Sequence, residues 1–177
     1  MDKSTDSIPQ VLATTQHLRL MDRGGWSYVE RSTANGVVSI AARTKQDRIV
    51  LIEQYRPPVD RQVIELPAGL SGDLADQADE PFETAARREL LEETGYQAEQ
   101  LRRITDVASS AGLTDEVVTM FVAEGLERVA SGGGDDNENI TVHAVALHEV
   151  DDWLNQTQAS GKLVDARVFA GLYLLQR

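Results

Sequence analysis

The chain has no cysteine among its 177 residues, which excludes a disulfide framework, a thiol nucleophile and any thiolate metal site. It also lacks a long apolar run: nothing approaches the ~18 consecutive residues of a membrane span. Met1–Gln10 has no apolar stretch of the kind a secretory leader needs. The sequence therefore predicts no membrane partner and a cytoplasmic location, and its two Asn-X-Thr triplets, at Asn139 and Asn155, are expected to be chance. Basic residues are scarce, with 17 against 29 acidic ones for a net charge of −12. That field argues against nucleic acid as a partner. It also repels any phosphate-bearing ligand unless metal ions and local arginines reverse it. His17, His143 and His148 share no ligand spacing and are expected to be structural.

A hydrophobic content of 41% in a chain of this length suits one domain with a proper core. The polar residues 1–10 are expected to fray, leaving residues 11–177 as that domain. Val11–Leu20 and Trp26–Ser32 read as strands separated by a Gly24-Gly25 turn. Val37–Ala42, Arg48–Tyr55 and Gln62–Leu66 follow, with Arg56-Pro57-Pro58 ending the second of these because consecutive prolines cannot continue a ladder. A helix starts near Pro81. Later strands are expected at Leu101–Ala108, Val117–Ala123 and Asn139–Leu147, with a flexible loop at Ser131–Asp136. Helices near Glu149–Ala159 and Asp165–Leu175 complete the chain.

The most informative stretch is Arg88-Glu89-Leu90-Leu91-Glu92-Glu93-Thr94-Gly95-Tyr96. At 3.6 residues per turn, Glu89, Glu92 and Glu93 occupy one helix face, and like charges at those spacings repel. A structural helix would alternate them with Lys or Arg. A hard divalent cation such as Mg²⁺ turns the repulsion into coordination, whereas a solvated acidic face is the plain alternative. Gly95 suits the left-handed residue that ends a helix.

Together, Gly69, Glu80, Arg88, Glu89, Glu92, Glu93 and Gly95 resemble the Nudix box, a loop-helix-loop signature of Nudix hydrolases. Every fixed position from Glu80 to Tyr96 matches. Ten residues separate Gly69 from Glu80 where the usual box has five, which reads as a lengthened surface loop at Ser71–Asp79. Trp26–Arg31, Glu53–Pro58, Glu65–Leu70, Ser110–Glu116, Asp136–Ile140 and Val164–Val168 narrow the resemblance to ADP-ribose pyrophosphatases and related nucleoside-diphosphate-sugar hydrolases.

The resemblance implies an α+β architecture, the Nudix α/β/α sandwich around a mixed sheet, with an N-terminal strand extension. It implies Mg²⁺ or Mn²⁺ as cofactor, held by Glu89, Glu93 and the Ala68 carbonyl, with Glu92 as a further ligand or a neighbour of the ligands. Glu138, or its competitor Asp136, is implied as the residue that activates water or completes a metal site. Arg31 and Arg56 can offer bidentate forks to phosphate. Glu116 matches a position that contacts substrate or the attacking water. Trp26 stacks on the base or sits in the core, and Val11–Ser32 is implied to build a homodimer. Ala111 stands where many ADP-ribose pyrophosphatases have proline, and Gly132–Gly134 is similar to GDP-mannose pyrophosphatases, which keeps a broader nucleoside-diphosphate-sugar specificity open. A Nudix-like sensing domain without catalysis is the alternative of another class, and nucleoside triphosphates are a less fitting substrate.

Overall fold

Alternation in two central strands divides the interior into two cores, and the site is built where one of them meets the acidic helix. The computed structural model describes residues 7–32, 34–72, 79–134 and 139–177. In β4 (Gly36–Thr44), Val38, Ile40 and Ala42 face one side while Val37 and Ala41 face the other. In β10 (Val117–Arg128), Phe121 and Ala123 go with the first set, and Val118, Met120 and Val122 with the second. A period of two on both faces is the pattern of strands covered on both sides.

Helix α1 (Phe82–Thr94) covers the first face through Ala85, Ala86 and Leu90. Helices α2 (Val150–Ala159) and α3 (Ala166–Leu174) cover the second through Val150, Leu154, Val168 and Leu174. Burying each such Val or Leu side chain stabilises the fold by about 1.5–3 kcal/mol. The result is the expected α/β/α sandwich. Its sheet is mixed: β4 runs parallel to β10 but antiparallel to β5 (Arg48–Arg56). Strand β5 also pairs antiparallel with β6 (Arg61–Glu65) and with β11 (Thr141–Ala146). Strand β9 (Gln100–Ala108) flanks β10, and the short β8 (Tyr96–Gln97) pairs with its far end.

Two expectations need correction. Val11–Leu20 is not one strand but β1 (Gln10–Thr14) and β2 (Leu18–Arg23), which with β3 (Trp26–Arg31) form a separate antiparallel sheet. The break is polar chemistry at Thr15, whose N–H donates to the Leu18 carbonyl at 2.8 Å while its Oγ1 accepts from the Leu18 N–H at 3.0 Å. The segment after Pro67, for which the sequence predicts no strand, is one, β7 (Ala68–Ser71), because β4 offers it an edge from Gly36 to Ser39. A two-residue strand, β12 (Leu163–Val164), pairs parallel with β6 and leads into α3. Within residues 71–79, where a lengthened loop was expected, 73–78 lie outside the described residues.

Among the described residues, no helix is long and apolar enough to cross a membrane.

A carboxylate and arginine cavity as the candidate active site

Helix α1 begins after Pro81, whose φ of −64° is already preset, and ends at Gly95. Gly95 has φ 74°, and its N–H closes the helix on the Leu91 carbonyl at 2.8 Å. A side chain there would meet the Ala130 carbonyl oxygen at 2.2 Å, so glycine is required twice over. Between these ends the helix carries Glu89 and Glu93 to a cavity of about 610 Å³ that it shares with Ala68 and Gly69 of β7.

The contact between α1 and β7 is close. Glu93 is only 2% exposed, and its Oε2 accepts the Ala68 N–H at 2.9 Å. A Cβ on residue 69 would stand 2.0 Å from the Glu89 carboxyl carbon. Gly69 is thus a glycine of approach, and its missing side chain is the space Glu89 occupies.

Arg88 organises the same helix face. Its Nε and Nη2 each reach a different oxygen of Glu80 at 3.1 Å, the fork-to-carboxylate geometry of a strong pair. Nη2 also donates to the Leu70 carbonyl at 2.9 Å, and Nη1 donates to Glu89 at 2.9 Å and Glu92 at 3.1 Å. Like-charge repulsion between the carboxylates is thereby relieved by one shared guanidinium. The hydrogen bond to Glu80 foremost, together with the charges of Glu80 and Glu89, raises the Arg88 pKa against the opposing effect of burial. The reciprocal bond holds Glu80 below its usual value, again against burial. Glu92 lies apart from the cavity, with its side chain 52% exposed.

The opposite wall is built by β5, β6 and the start of α3. Glu65 has a side chain only 5% exposed. It accepts from the Arg56 Nε at 3.0 and 3.1 Å, from Arg56 Nη2 at 2.8 Å and from the Gln54 amide at 2.9 Å. Asp165 caps α3 by accepting the Arg167 N–H at 2.7 Å, and it also binds that arginine's Nε and Nη2 at 2.9 and 2.8 Å. Arg31 from β3 completes the rim, donating to Glu116 at 3.0 Å. Arg31, Arg56, Glu116, Glu89, Glu93 and Ala68, all expected from the sequence, therefore share one cavity in one chain. Glu65, Asp165 and Arg167 were missed as site residues. Their only sequence signal was membership of the Glu65–Leu70 and Val164–Val168 segments, since nothing in their spacing pairs them.

Trp26 is elsewhere. It is 62% exposed, which rules out the core alternative, and its indole N–H donates to the Gly112 carbonyl at 3.3 Å. It lines a separate recess of about 220 Å³ with Tyr28 and Ala111.

Glu138 and Asp136 lie outside the described residues, as does all of 135–138. The chain on their N-terminal side is anchored to α1: the Gly133 N–H donates to the Glu93 carbonyl at 2.8 Å and the Gly134 N–H to the Glu92 carbonyl at 3.1 Å. These bonds satisfy two of the carbonyls a helix end leaves open. The described part of the Ser131–Asp136 loop, residues 131–134, is therefore held against the end of the acidic helix.

The donor set can be tested against a hard cation. Three guanidiniums and five carboxylates line the cavity, so an anionic ligand meets a net negative wall. The two carboxylates Glu89 and Glu93, which line the cavity with Ala68, suit Mg²⁺ or Mn²⁺, which take oxygen ligands. Among the described residues no cluster of three or more His, Asp or Glu forms a full protein cage. Mg²⁺ accepts such a partial set, because it keeps several of its waters.

Comparison with known proteins follows the same lines. The NUDIX domain profile matches residues 33–166. The methanol dehydrogenase activator of Bacillus methanolicus is 32% identical over 142 residues, covering 80% of this chain and 72% of that protein. An ADP-ribose pyrophosphatase of Saccharomyces cerevisiae is 35% identical over 159 residues, covering 81% of this chain and 66% of that one. A GDP-mannose pyrophosphatase of Klebsiella pneumoniae is 32% identical over 150 residues, covering 80% and 71%. A solved structure, an ADP compounds hydrolase, superposes with a TM-score of 0.73 over 96% of this chain and 90% of its own, at 20% identity, a likeness of fold.

Proposed function

We propose, for a chain that belongs to the NUDIX family, the metal-dependent hydrolysis of the diphosphate bond of a nucleoside diphosphate sugar. ADP-ribose, cleaved to AMP and ribose 5-phosphate, is the first choice of substrate, and GDP-mannose or a broader set of nucleoside diphosphate sugars is the second. The observation that carries this reading is the single cavity in which Glu89 and Glu93 face an arginine wall. Relatives named for ADP-ribose and for GDP-mannose support both choices. A ligand-sensing role without catalysis fits less well, because every carboxylate from Glu80 to Glu93 is retained.

The chemistry follows from the ligand. A diphosphate resists water because its oxygens are already anionic, so cleavage requires charge neutralisation and a placed nucleophile. Glu89, Glu93 and the Ala68 carbonyl would hold Mg²⁺, with Mn²⁺ as a substitute. Once bound, such ions neutralise phosphoryl oxygens and lower the pKa of a bound water. Glu138 accepts the proton as the water oxygen bonds to one phosphorus; Asp136 is its competitor. The bridging P–O bond breaks, and the departing phosphate keeps the bridging oxygen. Arg56 and Arg31 donate to phosphoryl oxygens, and Glu116 holds Arg31 in place. Glu92, through Arg88, keeps Glu89 aligned. The reading carries with it the cytoplasmic location and the absence of a nucleic-acid partner expected from the sequence.

A panel of ADP-ribose, GDP-mannose, ADP-glucose and nucleoside triphosphates, each with Mg²⁺ or Mn²⁺, tests the assignment. The expected result is turnover of a diphosphate sugar, abolished by chelation. Preference for a triphosphate, or turnover of none, rejects it.

A homodimer built through β1–β3 belongs to the same reading. Val11, Leu12, Leu18 and Leu20 are exposed on that sheet, and Trp26 stands outside its own chain's cavity. Burying this surface against a second copy protects it from other partners and supplies Trp26 to the neighbouring site. Mixing a Glu93→Gln chain with a Trp26→Ala chain is then expected to give more activity than the two apart, because one site of each heterodimer has all its parts. The shared site is wrong if Trp26→Ala alone is fully active, if the protein is monomeric at assay concentration, or if subunits exchange without any gain.

A further inference from the structure

Glu65 lies between two guanidiniums that come from distant parts of the chain. Arg56 closes on it through three contacts of 2.8 to 3.1 Å, and Arg167 Nη2 stands 3.9 Å from its Oε1. Arg56 reaches it across the β5–β6 hairpin, where Ile52 is register partner of Glu65 and Arg56 of Arg61. Arg167 arrives through β12, which lies parallel to β6 with Leu163 opposite Val63 and Val164 opposite Ile64. The Asp165 N–H then donates to the Ile64 carbonyl at 2.9 Å, locking the start of α3 beside Glu65.

Each arginine is held by a carboxylate, although the Arg56 side chain is 43% exposed. Arg167 has a side chain only 22% exposed. Burial lowers its pKa, but the bonds and charge of Asp165 and the charge of Glu65 outweigh that and hold it above its usual value. Its Nε and Nη2 are both turned to Asp165, and Nη2 also faces Glu65. A guanidinium has five donors in a rigid plane, so a fork gripped along one edge presents its remaining edge in a fixed direction. Arg56 is gripped the same way, through Nε and Nη2. Both line the cavity that receives Glu89 and Glu93.

We propose that Arg56 and Arg167, set side by side by Glu65 and Asp165, form a two-guanidinium clamp for the diphosphate of the ligand, with Arg167 a substrate-binding residue and Glu65 the positioning residue. The clamp rests on the proposed diphosphate chemistry of this cavity and adds to it the residues that grip the substrate opposite the metal-binding carboxylates. Two fixed forks match two adjacent phosphoryl groups, which a single exposed arginine does not. Glu65 has the second task of keeping two like charges together inside a wall where they would otherwise repel. A lysine in place of Arg167 keeps the charge but cannot serve Asp165 and a phosphoryl group with one rigid plane.

The test is the binding of ADP in the presence of Mg²⁺, by titration calorimetry, to the wild-type protein and to Arg167→Gln, Arg167→Lys and Glu65→Gln. Circular dichroism and thermal unfolding are followed in parallel. Arg167→Gln is expected to weaken Kd by at least about tenfold, the loss of a charge-assisted fork, and Arg167→Lys by a smaller but measurable factor. Glu65→Gln is expected to raise KM for the hydrolysed sugar nucleotide by a larger factor than it lowers kcat, because it frees the forks without removing them. Should Arg167→Gln fail to fold, Arg167→Lys decides, since it retains the pair with Asp165. Wild-type affinity in a folded Arg167 variant overturns the clamp and leaves Arg167 as a support for α3. Failure of the wild-type protein to bind ADP overturns the diphosphate reading of the cavity and the clamp with it.

Discussion

Glu93→Gln and Glu89→Gln are each expected to lower kcat on the order of a hundredfold or more, with the fold intact, because each removes a carboxylate from the point where phosphoryl charge must be neutralised. The substitution is chosen for shape. Glutamine at 93 keeps an oxygen to accept the Ala68 N–H, the bond that joins α1 to β7. At 89 it still fits the space left by Gly69. Without metal, the thermal midpoint of Glu93→Gln should stay close to that of the wild type, and that of Glu89→Gln should fall slightly, because it loses the charge that Arg88 meets at 2.9 Å. Turnover and thermal unfolding measured on the same samples separate the two effects. Near wild-type kcat in both variants removes the metal assignment, and unfolding of both makes these carboxylates structural.

Arg88→Ala is expected to cost about 3 kcal/mol of stability, the scale for breaking a buried ion pair by removing one partner. Glu80 would be left with a side chain 2% exposed and without the fork that now meets both its oxygens. Denaturant unfolding at neutral pH measures the loss, and a change within about 0.5 kcal/mol, typical of a surface site, refutes it. The pH dependence carries a second signature. The hydrogen bond from the Arg88 guanidinium holds the Glu80 carboxyl below its ordinary value in the fold. Its pair with Arg88 therefore stabilises the protein fully above about pH 4.5 and loses that contribution as pH falls through the depressed value. In Arg88→Ala burial acts on Glu80 without the opposing bond, so the difference between wild type and variant should shrink as pH falls below 4.5. Activity should also fall, because Arg88 holds Glu89 and Glu92 in line.

Helix α1 was legible in the sequence because each of its signals is local. Pro81 marks its start, Gly95 its end, and the 3.6-residue period puts the carboxylates on one face. The two terminal helices were placed within a residue at each end, Glu149–Ala159 against the observed Val150–Ala159 and Asp165–Leu175 against Ala166–Leu174. Strands β4, β5, β9 and β10 were found for a related reason: covered by helices or neighbouring strands, most of them read as apolar runs bounded by turn residues. The division of Val11–Leu20 was not found, because Thr15 breaks the strand through hydrogen bonds to Leu18 that apolar patterning does not register. Strand β7 escaped for the opposite reason: Ala68-Gly69-Leu70-Ser71 has little strand propensity, and its conformation comes from pairing with β4.

Sequence by itself determined the acidic helix of this protein, its two ends and the face that its carboxylates share. Only the tertiary structure decided which residues meet. Glu65, Arg56 and Arg167 become neighbours through a hairpin and a two-residue parallel pairing between β6 and β12. Gly69 acquires its meaning from a carboxylate 20 residues away that packs where its side chain would be. Trp26 lies outside the cavity with its indole N–H on the Gly112 carbonyl, while Arg31, on the same strand, lines it. Local signals survive in sequence because they act through the period of a helix or strand. Contacts between distant segments depend on strand register and on the direction of each side chain, and no spacing along the chain encodes either.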